Sequence, residues 1–286
     1  MKVVYFGSGG VYSARILDAV ASRNAVALVV LPEILGSGPR GLMKRAIIWR
    51  LSREMRRVIA RNKLHAIRYQ PEALLPIIRS IEPDLVCVAS FPHVLPATLL
   101  ALPRRGSLNV HPSLLPRHRG IDPVFWTYFD DDLDTGVTVH WMAEQVDAGD
   151  IVAQRRIGIE RGLPAMELTS RLAAIGGQLL LQAIADIAAG RDTRVPQDER
   201  FATSEPAPSK KIFMSHFLTW PTERVWHFLR GAGAGWFGEA TTYVVQPHDS
   251  SPGTLAASRF YCVDGWISLR PRSLRRRIID LVRRLF

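Results

Sequence analysis

The feature that most restricts this chain is the alternation of short apolar runs with helical patterns over its first third. Val3 to Phe6 is β-rich and stops at Gly7-Ser8-Gly9-Gly10, and a helical pattern follows with Ile16, Leu17, Val20 and Ala21 on one face. Ala25 to Leu31 is a second run of strand length and Ile67 to Tyr69 a shorter one. Pro71 to Ile81 is a helix with proline at its start, and Asp84 to Ala89 a buried strand. Strands that alternate with helices bury both faces by forming a parallel sheet covered on each side.

After Gly120 the pattern changes. Gly136 to Met142 alternates strongly, as does Ile151 to Ile159, so both are expected as paired strands late in the same sheet. Pro164 to Ala189 is a long helix with Leu168, Leu172, Ile175, Leu179, Ala183 and Ile187 at helical spacing. The expected division is residues 1–190 for the first domain and 191–211 for a linker rich in charge, proline and small polar residues. Residues 212–286 then form a small C-terminal domain with β-type runs such as Thr241 to Val245, ending in a basic amphipathic helix.

Nearly half of the 286 residues are apolar, which suits a globular chain with a sizeable core. Cys87 and Cys262 have no metal-type or disulfide-framework spacing, which fits a reducing compartment. The N-terminal apolar run is too short for a signal peptide, and no uninterrupted apolar stretch is long enough to span a bilayer. The expected location is cytoplasmic. A formal net charge of +11 points to an anionic partner: a phosphorylated substrate, nucleic acid or a lipid surface.

Three places carry candidate chemistry. The Gly7–Gly10 loop links a strand to a helix, but a dinucleotide fingerprint would need glycine where Tyr12 stands, so it is read as a tight turn near a ligand. Asn109 and His111 are two apart, which in an extended segment puts both on one face. A carboxamide beside an imidazole suits acyl transfer: an N–H for an oxyanion and a ring for protons. Alone, such a pair is equally a satisfied polar pair in a loop. Asp147 lies in a turn between two expected strands, where a carboxylate can orient an imidazole and raise its basicity.

Four ordered blocks, Asn109 to Pro116, Arg119-Gly120, Thr135 to Thr138 and Val146 to Asp150, resemble the folate-dependent formyltransferases. That family acts on methionyl-tRNA, glycinamide ribonucleotide and nucleotide-linked amino sugars. The resemblance implies an α/β fold: a Rossmann-like, mostly parallel sheet flanked by helices, followed by a small β-containing C-terminal domain. It implies Asn109 holding the formyl oxygen, His111 stabilising its charge and moving a proton, and Asp147 orienting His111. The donor implied is N10-formyltetrahydrofolate, contacted by Ser90, Phe91, Val94, Leu95, Val146 and Gly149, with no metal. Gly9, Gly10, Ser113, Arg119 and Gly120 are expected at the acceptor.

The stretch from Thr135 to Gln154 looks most like the sugar-nucleotide enzymes, so the expected acceptor is a primary amine of a nucleotide- or lipid-linked amino sugar. The tRNA enzymes usually carry a Gly-Thr-Pro-type turn where this chain has Gly7 to Tyr12, which lowers the aminoacyl-tRNA alternative. Elements such as Phe217 to Pro221 and Gly235 to Gly238 do not discriminate. Two basic segments fit the family poorly: Arg40 to Lys63 and Arg270 to Phe286. In the second, Leu274, Ile278, Leu281, Val282 and Leu285 share a helical face, and most arginines lie away from it. Such a helix either packs on its own domain, docks on an anionic membrane surface or binds phosphates of tRNA. The rival from another class is a membrane- or nucleic-acid-binding relative that has lost catalysis.

Overall fold

Five short strands begin the chain's first half: β1 (Lys2–Gly7), β2 (Ala25–Leu31), β3 (Ala66–Arg68), β4 (Leu85–Ala89) and β5 (Ser107–His111). In the computed structural model described here, β1 pairs in parallel with β2 and β4, β2 with β3, and β4 with β5. The structure describes residues 1–33, 52–209, 212, 216 and 219–232, and the backbone of 258–262 and 265–269. Residues 40–51 of the first basic segment, the run Thr241 to Val245, Phe217-Leu218, Gly235 to Gly238 and the whole of 270–286 lie outside them.

After the two-residue strand β6 (Arg119–Gly120) come β7 (Asp134–Trp141) and β8 (Ile151–Gly158). The sheet has seven strands in the order β3-β2-β1-β4-β5-β7-β8, and β7 runs antiparallel to β5. The expectation of a mostly parallel sheet with late paired strands holds. The strand order reverses between β1 and β4, the kind of switch point beside which open α/β sheets bind ligands.

Both faces are covered. Val4, Phe6, Leu28, Val30, Val86 and Val88 point to one side, where Leu74 and Ile78 of the helix Pro71–Ile81 and Leu99 of Ala97–Leu100 pack on them. The other side carries helix α1 (Val11–Ala21), whose Ser13 carbonyl accepts from the buried Tyr5 hydroxyl at 2.7 Å. It also carries the long helix Ala165–Ala188. A Cβ at Gly176 would lie 2.8 Å from Val110 Cγ1, and one at Gly177 2.8 Å from Ala19 Cβ. The glycine pair therefore lets this helix sit directly on β5 and α1. By length and composition it could cross a membrane, but Leu172, Leu180, Ile184 and Ile187 are buried, as in a core helix.

Chain contacts define two compact units: Met1–Gly120, Thr135–Ile157 and Thr169–Ser204 in the first, and Ile121–Asp134, Gly158–Leu168 and Glu205–Phe286 in the second. This differs from a division at 190 and 211. The segment 191–204, expected as linker from its composition, belongs to the first unit, because its backbone is bonded there: Val195 and Ile151 exchange N–H···O bonds of 2.8 and 3.0 Å. Residues 121–134 and 158–168, expected inside the first domain, belong to the second. Their aromatic residues require it: Phe125 and Phe129 pack edge-on against Phe228, and Phe129 against Trp220, at 4.9–6.2 Å between centroids. Arg161 pairs with Asp131 at 2.7 Å in the same unit. After the short strand β9 (Ser204–Glu205), the described residues of this unit include an antiparallel hairpin, β10 (Ser258–Cys262) with β11 (Gly265–Leu269).

Candidate active site

Alternation along β5 and β7 separates an apolar face from a polar one. Leu108 and Val110 alternate with Asn109 and His111, and Val137 and Val139 with Thr138 and His140. The antiparallel register sets Asn109 directly opposite His140 and His111 opposite Thr138. Directly opposed residues share a face. Asn109, His111 and His140 therefore stand together, on the face that carries Val88 one strand over. The apolar partners Val110 and Val137 point the other way, onto Gly176.

Asp147 completes the cluster from the turn between β7 and β8. Its φ is 52°, a left-handed conformation uncommon for a residue with a Cβ. One carboxylate oxygen accepts from Asn109 Nδ2 at 3.1 Å and lies 3.4 Å from His140 Nε2. The other accepts from the Gly120 N–H at 2.9 Å and lies 3.5 Å from His111 Nδ1. The turn is pressed against β7: a Cβ on Gly149 would fall 1.9 Å from the Trp141 carbonyl oxygen.

The electrostatics follow from burial and these partners. Burial alone pushes the Asp147 carboxyl up, but the imidazoles of His111 and His140 and the Gly120 amide outweigh it and hold the group well below the usual carboxylate range. His111 is lowered, chiefly because burial penalises its charged form; Asp147 and the His118 carbonyl pull the other way. Its Nε2 donates to the His118 carbonyl at 2.8 Å, which leaves Nδ1 toward Asp147 in the neutral ring. The site therefore holds a permanent negative charge next to a neutral imidazole able to accept a proton.

The structure brings Asn109, His111 and Asp147 together. It also adds His140, a buried residue of the alternating run Gly136 to Met142 that the sequence did not single out. His140 Nδ1 donates to the Trp141 carbonyl at 2.8 Å, and in the neutral ring Nε2 then accepts from Asn109 Nδ2 at 3.1 Å. Both Nδ2 hydrogens of Asn109 are thus directed to Asp147 and His140, and one must be released before Asn109 can donate to an oxyanion.

The other expected residues divide. Gly9, at φ 88°, and Gly10 lie at the carboxyl end of β1, beside the switch point. Ser90, at φ 58°, turns the chain after β4, and Val94 and Val146 are exposed. Leu95 is buried in the core, and Phe91 stands edge-on to Phe6 and Tyr69 at 5.2 Å from each. Gly120 cradles Asp147. Ser113 and Arg119, also expected at the acceptor, have their side chains turned inward. Ser113 is fully buried and its hydroxyl donates to the Arg117 carbonyl at 2.7 Å, and Arg119 is 3% exposed with its guanidinium held by Gln197 and Glu199. Both side chains shape the loop from inside, because a buried polar group must bond to its surroundings.

A buried carboxylate, imidazole and carboxamide on the polar face of an α/β sheet define a site suited to acyl transfer, where charge develops at two atoms of one carbon. Residues 1–184, more than half of the chain, match the family described as Formyl transferase, and the chain belongs to that family. It is 38% identical over 154 residues to a methionyl-tRNA formyltransferase of Moorella thermoacetica, covering 54% of this chain and 49% of that protein. A methionyl-tRNA formyltransferase of Listeria monocytogenes is 28% identical over 277 residues, covering 90% of this chain and 84% of its own length. The chain thus spans about half the length of one curated relative and most of another. The crystal structure of an N-formyltransferase from Helicobacter canadensis, in complex with folinic acid and dTDP-3-aminofucose, shares the fold with a TM-score of 0.64 at 14% identity, covering 96% of this chain and all of that one.

Proposed function

We propose that this chain transfers a formyl group from N10-formyltetrahydrofolate to the primary amine of an amino sugar carried on a nucleotide or a lipid. The observation that carries the chemistry is the single carboxylate of Asp147 shared between Asn109 and His111. The neutral amine attacks the formyl carbon and forms the new C–N bond. The carbonyl electrons move to oxygen, where Asn109 and His111 stand as donors once the ring takes a proton. Collapse breaks the bond to the folate N10, and the proton lost by the amine ends on that nitrogen, with Asp147 and His111 as carriers. The exposed Val94 and Val146 and the turn at Ser90 are the proposed folate contacts, and Gly9, Gly10 and Gly120 the proposed acceptor contacts.

Support for a sugar comes from the sequence of β7 and the turn after it, and from the loop Gly7 to Tyr12. The curated relatives, named as methionyl-tRNA formyltransferases, favour aminoacyl-tRNA as the second reading. The test is formyl transfer from N10-formyltetrahydrofolate to a panel of nucleotide-linked amino sugars and to methionyl-tRNA, followed by mass spectrometry. The expected outcome is one amino sugar formylated, with His111→Ala at least about a hundredfold slower. Formylation of methionyl-tRNA alone would replace the sugar reading, and no product with either class would remove both. Flotation with anionic liposomes, with and without residues 270–286, tests a membrane-borne acceptor.

A further inference from the structure

We infer that Gln197 is a positioning residue for the Asp147 carboxylate, acting with Arg119 and Glu199; this rests on the proposed role of Asp147. Gln197 comes from the segment that composition marks as linker, and that segment is strapped along the first unit. Trp141 Nε1 donates to the Thr193 carbonyl at 3.2 Å, and Arg194 lies 4.1 Å over the Trp141 ring. Val195 then bridges to Ile151 through two backbone hydrogen bonds. Two residues later the Gln197 carboxamide reaches the catalytic turn.

Its Nε2 donates to the Asp147 carbonyl at 2.8 Å and to the Gly149 carbonyl at 2.7 Å. Both hydrogens are thereby spent on one turn, on either side of Ala148. Its Oε1 accepts from Arg119 Nε at 3.1 Å and Nη2 at 2.8 Å, which fixes which end of the amide faces the turn. The far edge of the Arg119 guanidinium pairs with the Glu199 carboxylate at 2.7 and 3.0 Å. Gly120, next to Arg119, donates its N–H to the Asp147 side chain. One connected set of bonds therefore holds both the backbone and the carboxylate of a residue at φ 52°. A left-handed residue other than glycine persists where its surroundings over-determine it.

Gln197 has no hydrogen bond to Asn109 or His111, so its effect must pass through Asp147. Gln197→Met keeps the length and removes both donors. Arg119 keeps Glu199. The expected result is a folded variant with kcat lower on the order of a hundredfold and KM for the formyl donor little changed, since a displacement of about 1 Å at a reacting group has that cost. A merely structural role would not move the titration of His111. Here the loosened Asp147 gives less support to the imidazolium, and NMR of the ring should show the His111 pKa shifting further down.

Glu199→Gln is the second variant; its side chain is exposed, and the change removes the charge partner of Arg119 without burying anything new. It should lower kcat less than Gln197→Met and shift the His111 titration in the same direction. Should Gln197→Met fail to fold, Glu199→Gln decides. Parent-like kcat and an unmoved His111 titration in a folded variant would overturn the inference. Should the parent formylate no amine, the function proposed above fails, and the His111 titration still decides whether Gln197 positions Asp147.

Discussion

Replacing Gly149 by alanine probes the site through a single carbon. The added Cβ would lie 1.9 Å from the Trp141 carbonyl oxygen and 2.8 Å from its carbon, where real Cβ contacts do not come under 3.0 Å. Both sides of the clash are backbone, so no side chain can rotate away, and the turn must move off β7 by about 1 Å. Asp147 is two residues back on the same turn. Its bonds of 2.9 Å to Gly120 and 3.1 Å to Asn109 would stretch to about 4 Å, beyond hydrogen-bonding range. A misplacement of that size costs roughly a hundredfold in rate, equivalent to about 3 kcal/mol of transition-state stabilisation. Steady-state formyl transfer with the acceptor that the panel identifies should show the loss in kcat, while far-UV circular dichroism stays that of the parent. The matching control is Gly158→Ala, whose nearest neighbour would be 3.9 Å away, and which should leave the rate alone. A folded Gly149→Ala protein turning over within about threefold of the parent would refute the claim that this close approach sets the position of Asp147.

Three further measurements test the core and the electrostatics. Acid should destabilise the fold in two steps. A His111 pKa lowered by folding contributes stability that is complete above about pH 6.5 and is lost as pH falls through the folded value, and a depressed Asp147 adds a loss below about pH 3.9. Urea melts across pH 7 to 3 should show this, and equal stability at pH 7 and pH 4 would contradict it. Burial pushes the Cys87 thiol up to about 12, so peptide mapping after thiol alkylation should find Cys87 modified only in denaturant. Gly176→Leu should destabilise by about 1 to 3 kcal/mol in urea melts, since a Cβ at 176 already meets Val110 at 2.8 Å; an unchanged midpoint would mean the long helix is free to shift.

Local information carried much of this protein. Strand length, helical spacing and glycine placement located β1, β2, β4, the helix Pro71–Ile81 and the long helix to within a residue or two, because those patterns depend only on near neighbours in the chain. The two-residue spacing of Asn109 and His111 put them on one face for the same reason. Contacts made across the chain were not legible in this way. His140 became a partner only through the register that sets β7 against β5, and a shift of one residue would have turned it to the opposite face. Arg119 reads as a free cation by residue type, yet its environment buries it against Gln197 and Glu199, where its guanidinium holds the loop. Residues 193–203 have the composition of a linker because few of their side chains enter the core. Their fixed position comes from backbone bonds, the Gln197 carboxamide, the Glu199 carboxylate and Arg194 over Trp141, which have no periodic signature. The sequence by itself determined the elements and the chemical types at the site. Tertiary structure decided which of those groups meet, because hydrogen bonds between distant segments depend on where the sheet brings them.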